Sequence, residues 1–151
     1  MKSRQTGFTL IELVVVIVIL GLLAATALPK FSNITTQASE AALSGVAGGF
    51  RSAVSIAHGT WLASGSTGTI TLEGGTNVVM TTQGYPDIGG DGSALFGNLM
   101  SQSFASLGDG WSVGAQTGNQ VTYTLTGGGT FTYDDSTGGI SCTKASDSSA
   151  C

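Results

Sequence analysis

The sequence predicts an α+β protein: one long N-terminal helix whose second half packs on a C-terminal antiparallel sheet. Three observations predict it. Residues 8–28 (FTLIELVVVIVILGLLAATAL) form one apolar run broken by a single charge, Glu12. Residues 31–62 carry apolar side chains at helical spacing. Residues 63–151 hold 18 of the 24 glycines and 26 Ser or Thr, with alternating strand patterns between the glycines.

Composition narrows the function. The 151 residues suit one domain of ordinary size. Only 9% are charged, against roughly 25% in average soluble domains. A net charge of −4 argues against a nucleic-acid binder, which needs a basic face to meet phosphates. A hydrophobic content of 41% argues against simple disorder. One His and two Cys suit no His/Cys zinc site.

The apolar run comes first. At ~1.5 Å per residue it spans about 31 Å, close to the hydrocarbon core of a bilayer. Lys2 and Arg4 precede it, so the positive-inside rule keeps residues 1–7 cytoplasmic and sends the rest outward. Three readings fit: a plain single-pass anchor, a secretory signal cleaved after Ala25-Thr26-Ala27, or a segment processed on the cytoplasmic side and kept. Glu12 separates them. A carboxylate deep in an apolar run costs roughly 2.5–3.5 kcal/mol on insertion scales, so a partner is expected for it. A plain anchor or a signal has no use for it.

Gly7-Phe8-Thr9-Leu10-Ile11-Glu12-Leu13 after a short basic leader resembles the processing site of type IV pilins and the related pseudopilins. The likeness runs on through Gly21 and Pro29-Lys30-Phe31. It implies the pilin fold. The residues themselves offer no nucleophile–base pair and no phosphate-binding loop followed by Lys, so no enzyme is expected. The resemblance implies cleavage by prepilin peptidase between Gly7 and Phe8, then N-methylation of Phe8. Glu12 would neutralise the N-terminal amine of a neighbouring Phe8 during assembly. Gly21–Pro29 would be the stretch that loosens in the filament, because Pro29 removes a backbone donor and Gly21 weakens the helix. Partners would be copies of the chain and other pilins, the peptidase, an assembly platform and its ATPase. The inner membrane would hold the monomer, and the surface filament the assembled form. No cofactor is implied. VVVIVILGLLAATALPKF with Gly84-Tyr85-Pro86 is most similar to the mannose-sensitive-haemagglutinin type within that family.

The chain then divides into a leader, 1–7, a membrane and polymerisation segment, 8–30, an amphipathic half-helix, 31–62, and a head, 63–151. In the half-helix the stripe is Phe31, Ile34, Ala38, Ala42, Val46, Phe50, Val54, Ala57 and Trp61. A helix over 8–62 would be about 80 Å long, too long to pack within one small domain. Its first half must be covered by lipid or by neighbouring subunits. His58 has no acid or cysteine at ligand spacing and reads as solvent-facing or loosely capped.

In the head, Gln120–Leu125 and Thr130–Tyr133 alternate and are joined by Gly127-Gly128-Gly129, a hairpin. Asp134–Gly139 turns the chain into Ile140–Cys142, and Trp111–Val113 precedes. Thr69–Leu72 and Val78–Met80 suit a second hairpin, and Leu95–Leu107 a helix capped by Ser93. Val121, Tyr123, Leu125, Phe131 and Tyr133 share the face that would cover the helix. Cys142 and Cys151 are either two free thiols or a bridge, and a head outside the cytoplasm suits a bridge. The resemblance gives it a name, the disulfide-bounded C-terminal loop of pilins. Asp87, Asp91, Asp134 and Asp135 are weak calcium candidates that lack calcium-loop spacing, so no metal is expected. The expected function is a structural subunit of a type IV pilus serving adhesion or motility. The alternative is a pseudopilin of a type II secretion system, and the cysteine pair favours the pilus.

Overall fold

The computed structural model describes residues 7–66 and 68–151, with the backbone alone at 28, 29 and 32. The leader positions Lys2 and Arg4 lie outside the described residues. The chain divides into two compact units, one ending at Thr35 and one from Thr36 to Cys151.

The fold is α+β. Helix α1 is Leu10–Ala63, and helical backbone continues through residues 21 and 29. In the first unit its apolar side chains face outward: Leu10, Ile11, Val14, Ile17, Leu20 and Leu23 are all exposed. Leu10–Ala27 is long and apolar enough to cross a membrane, and none of it is buried within the chain. Several hydroxyls on α1 are satisfied locally. Thr26 Oγ1 donates to the Leu23 carbonyl at 3.0 Å, and Thr35 Oγ1 to that of Phe31 at 3.0 Å. Such back-bonding lets Thr sit in an apolar helix without an unpaired hydrogen.

The second unit contains the rest of α1 and eight further elements. Strands β1 (Thr69–Thr71) and β2 (Asn77–Val79) form a two-stranded sheet with Ile70 opposite Val78. Helix α2 (Gly92–Met100) and a 3-10 turn (Phe104–Leu107) follow. Strands β3 (Trp111–Val113), β4 (Gln120–Leu125), β5 (Gly129–Asp134) and β6 (Gly139–Lys144) make one antiparallel sheet in chain order. The β4–β5 register sets Val121 opposite Tyr133 and Tyr123 opposite Phe131. All four are buried, with Leu125, on the inner face. The outer face is largely hydroxylic: Thr122, Thr124, Thr130, Thr132, Ser141 and Thr143 alternate with the buried or half-buried positions, and Gln120 and Asp134 share it. Thr122 Oγ1 and Thr132 Oγ1 are 2.9 Å apart across the strands.

The core centres on Phe50 of α1. Its ring lies 5.5–5.7 Å from those of Phe96, Tyr123, Phe131 and Tyr133. Tilted and edge-on ring pairs at such distances add stabilisation beyond area burial. Two buried phenols anchor the segment that crosses the core. Tyr123 Oη donates to the Gly92 carbonyl and Tyr133 Oη to that of Pro86, each at 2.7 Å. Burial raises both phenols above their ordinary pKa, so they remain donors.

Three expectations are corrected. The buried face of α1 is Leu43, Ala47, Phe50, Val54 and Ala57, while Phe31, Ile34, Ala38 and Ala42 are exposed. A run of four-residue steps advances 400° each time and precesses around the helix, whereas alternating three and four holds one face. The region 95–107 is not one helix. Ser101 adopts the left-handed region at φ 51° and ends α2, and the 3-10 turn begins separately at Phe104. The cap of α2 is Asp91, not Ser93, because its carboxylate accepts from Ser93 N at 2.9 Å and Ala94 N at 3.1 Å.

Candidate functional site

The N-terminal site is built at the start of α1. Thr9 precedes the first helical residue, and Glu12 sits three positions on. Thr9 N donates to Glu12 Oε2 at 2.9 Å, Thr9 Oγ1 donates to the same oxygen at 2.8 Å, and Glu12 N donates to Thr9 Oγ1 at 3.4 Å. This is a reciprocal capping box, which satisfies helix-end donors that otherwise lack partners. The Thr9-x-x-Glu12 spacing is a signal in the sequence that the apolar-run reading passed over. Phe8, Ile11, Glu12, Val15 and Val16 line a shallow apolar concavity beside it. A carboxylate is thus fixed in orientation next to an exposed Phe8, on a helix whose neighbouring faces are apolar.

At the other end, Cys142 and Cys151 are disulfide-bonded, with Cα atoms 5.3 Å apart. The loop they enclose folds back on β6: Thr143 bridges Ala150, and Lys144 N donates to Ser149 O at 2.9 Å.

The four aspartates are engaged by the protein itself. Asp87 Oδ1 accepts from Gly89 N at 2.9 Å, and Asp91 caps α2. Asp134 accepts from Ser136 N at 2.9 Å and Gln120 Nε2 at 3.0 Å. The Ser136 and Gln120 side-chain bonds hold its pKa down to about 2. Asp135 is buried, and Ile88 N approaches its Oδ2 at 3.4 Å. Burial raises its pKa, opposed by the Ile88 bond. Among the described residues no group of three or more His, Cys, Asp and Glu is placed to hold a metal ion.

His58 departs from expectation. It is half-buried, stacked on Tyr85 with centroids 4.6 Å apart and on Trp61 at 5.8 Å. Its Nδ1 lies 2.6 Å from the Gly84 carbonyl oxygen. Gly84, at φ +83°, lies against the Trp61 ring, where a Cβ would come within 2.3 Å. The Gly84-Tyr85-Pro86 stretch therefore clamps the end of α1 to the head, with Tyr133 on Pro86 as its other contact.

Comparison with known proteins bears on this geometry. The prokaryotic N-terminal methylation motif matches residues 2–28. The type IV narrow pilus major component PilA5 of Thermus thermophilus is 52% identical over 54 residues, 36% of this chain and 47% of that protein. The type IV major pilin protein PilE1 of Neisseria gonorrhoeae is 50% identical over 66 residues, 40% of this chain and 39% of that protein. The type IV major fimbrial protein FimA of Dichelobacter nodosus is 43% identical over 54 residues, 36% of this chain and 35% of that protein. The chain spans less than half the length of each of these relatives. No solved structure matches. Over its N-terminal part the chain is thus similar to type IV pilins, and its long apolar helix followed by an antiparallel sheet is consistent with their fold. The relatives named are components of pili, and nothing among them favours a pseudopilin.

Proposed function

We propose that the chain is the structural subunit of a type IV pilus, made as a prepilin and without enzymatic activity. The observation that carries this is the exposed apolar helix Leu10–Ala27 with Glu12 at its start, inside the methylation motif. Prepilin peptidase cleaves between Gly7 and Phe8, and Phe8 becomes the N-methylated terminus. The monomer is anchored in the inner membrane by the apolar run, with the head outside the cytoplasm. On assembly by the platform and its ATPase, Glu12 pairs with the Phe8 amine of another copy and sets axial register. The capping box supports this role. Thr9 keeps the carboxylate desolvation-tolerant and oriented before a charged partner replaces or joins it. Gly21 and Pro29 are where the helix loosens as subunits pack. The apolar faces then leave lipid for one another.

Mass spectrometry of the mature protein tests the processing step, and electron microscopy of surface filaments tests the polymer. An N-methylated Phe8 terminus and filaments that vanish with this protein are expected. A terminus at Leu28 would mean a released head and would overturn the reading.

A further inference from the structure

Glu40 is the buried acid of α1, only 9% exposed. A carboxylate so placed is costly unless it is hydrogen-bonded. Its Oε1 accepts from the backbone N of Ser146 at 2.9 Å, across 106 residues of sequence. Ser146 lies in the Cys142–Cys151 loop, so the helix grips that loop directly. The β4–β5 turn is sandwiched between them. A Cβ on Gly128 would come within 2.8 Å of the Ser39 carbonyl oxygen, and one on Gly129 within 2.1 Å of that of Thr143. Ala145 N donates to Gly128 O at 3.2 Å. Helix, glycine turn and loop are stacked without room for side chains. Beyond Ser146, Asp147 Oδ1 accepts from Ser149 N at 2.9 Å, a contact within the loop.

We propose that Glu40 and the Cys142–Cys151 bridge form a two-point strap that holds the C-terminal loop on helix α1, with Glu40 the positioning residue for its first half. The two points govern different backbone groups. Glu40 holds Ser146 N. The bridge holds the returning strand, where Lys144 N meets Ser149 O. Removing one point frees its own half and leaves the other docked. The shape the loop presents to solvent therefore depends on a residue of the helix, about a hundred positions upstream. This inference is independent of filament assembly.

The test uses the full chain in detergent, with amide hydrogen exchange resolved by residue. Glu40→Ala is expected to speed exchange at Ser146 by on the order of 10- to 100-fold, the range for a lost bond to a charged acceptor. Phe131, in the middle of β5, keeps its protection. Glu40→Gln retains a carbonyl acceptor and restores most of the Ser146 protection. Cys142→Ser with Cys151→Ser speeds exchange at Lys144 but spares Ser146. Trypsin gives a second readout, because Lys144 is the single Lys or Arg beyond Arg51. Cleavage after Lys144 becomes fast when Glu40→Ala is combined with the two serine substitutions. The proposal is overturned if Glu40→Ala leaves Ser146 unchanged, or if Phe131 loses protection with it. It is equally overturned if the serine pair alone exposes Ser146 as fully as Glu40→Ala does.

Discussion

From Leu10 to Ala27 no side chain is buried within the chain, whereas from Leu43 to Ala57 every third or fourth one is. Both stretches belong to α1, and both are rich in Val, Ile, Leu and Ala. The difference is in arrangement. Around 10–27 apolar residues occupy every face, so no one sheet could cover them. Around 43–57 most of them occupy one stripe, and Ser44, Arg51, Ser52, Ser55 and one exposed apolar residue, Ile56, occupy the rest. A helix apolar all round needs a surrounding medium, while an amphipathic one needs a single partner layer. The head supplies that layer for the second stretch. Nothing within the chain supplies it for the first, and under the proposed function lipid and then further copies do.

The sharpest way to break this contrast is Glu12→Ala. We expect filaments to disappear in electron micrographs while processing after Gly7 continues and the melting of the head stays unchanged. Normal filaments from that variant would refute pairing through Glu12. Next in size is Phe50→Ala. Removing the ring that touches four others should cost the head about 3–5 kcal/mol in denaturant titration. A loss under about 1 kcal/mol would mean the core is not centred there. Replacing Cys142 and Cys151 by Ser should cost roughly 2–3 kcal/mol, the chain-entropy value for so short a loop. No change in midpoint would show the bridge to be only local in effect.

The smallest effect is a matter of pH. The side chains of Ser136 and Gln120 hold Asp134 down to about 2 in the folded head, against about 3.9 in an unfolded chain. Its bonds stabilise the fold fully above pH ~4, and that contribution is lost as pH falls from there towards the folded value. Asp134→Asn should flatten the decline of melting temperature over that window. An unchanged slope would assign acid sensitivity elsewhere.

Much of the head was legible because its signals are local. The alternation in QVTYTL, the three glycines after it and the alternation that resumes beyond them mark β4, the turn and β5. β3 is Trp111–Val113 as its residues suggest. Asp91 and Ser93 both suit a cap by residue type, and only backbone geometry chooses Asp91. Four-residue steps from Phe31 lead past Leu43 and Ala47, which lie on the buried face only when three- and four-residue steps alternate. The placements of His58 and Glu40 are another matter. Tyr85 and Gly84 O reach His58 from across the fold, and Ser146 reaches Glu40 from near the C-terminus. No local pattern encodes such meetings. At the N-terminal site, Gly7, Phe8 and Glu12 were legible as a motif, and the Thr9 contribution was encoded in spacing.

The hydroxyl rows on the outer face of the β3–β6 sheet have a consequence for how the head meets water. Thr122, Thr124, Thr130, Thr132, Ser141 and Thr143 offer donors and acceptors that neither titrate in the physiological range nor attract counterions. Wetting by those hydroxyls is therefore insensitive to salt and to acidity, and Asp134 at the end of β5 is the ionisable group beside them. A surface hydrated by carboxylates and ammonium groups changes its field with every change of ionic strength. The hydroxyl rows resemble a carbohydrate coat more than a polyelectrolyte in the groups they offer to water.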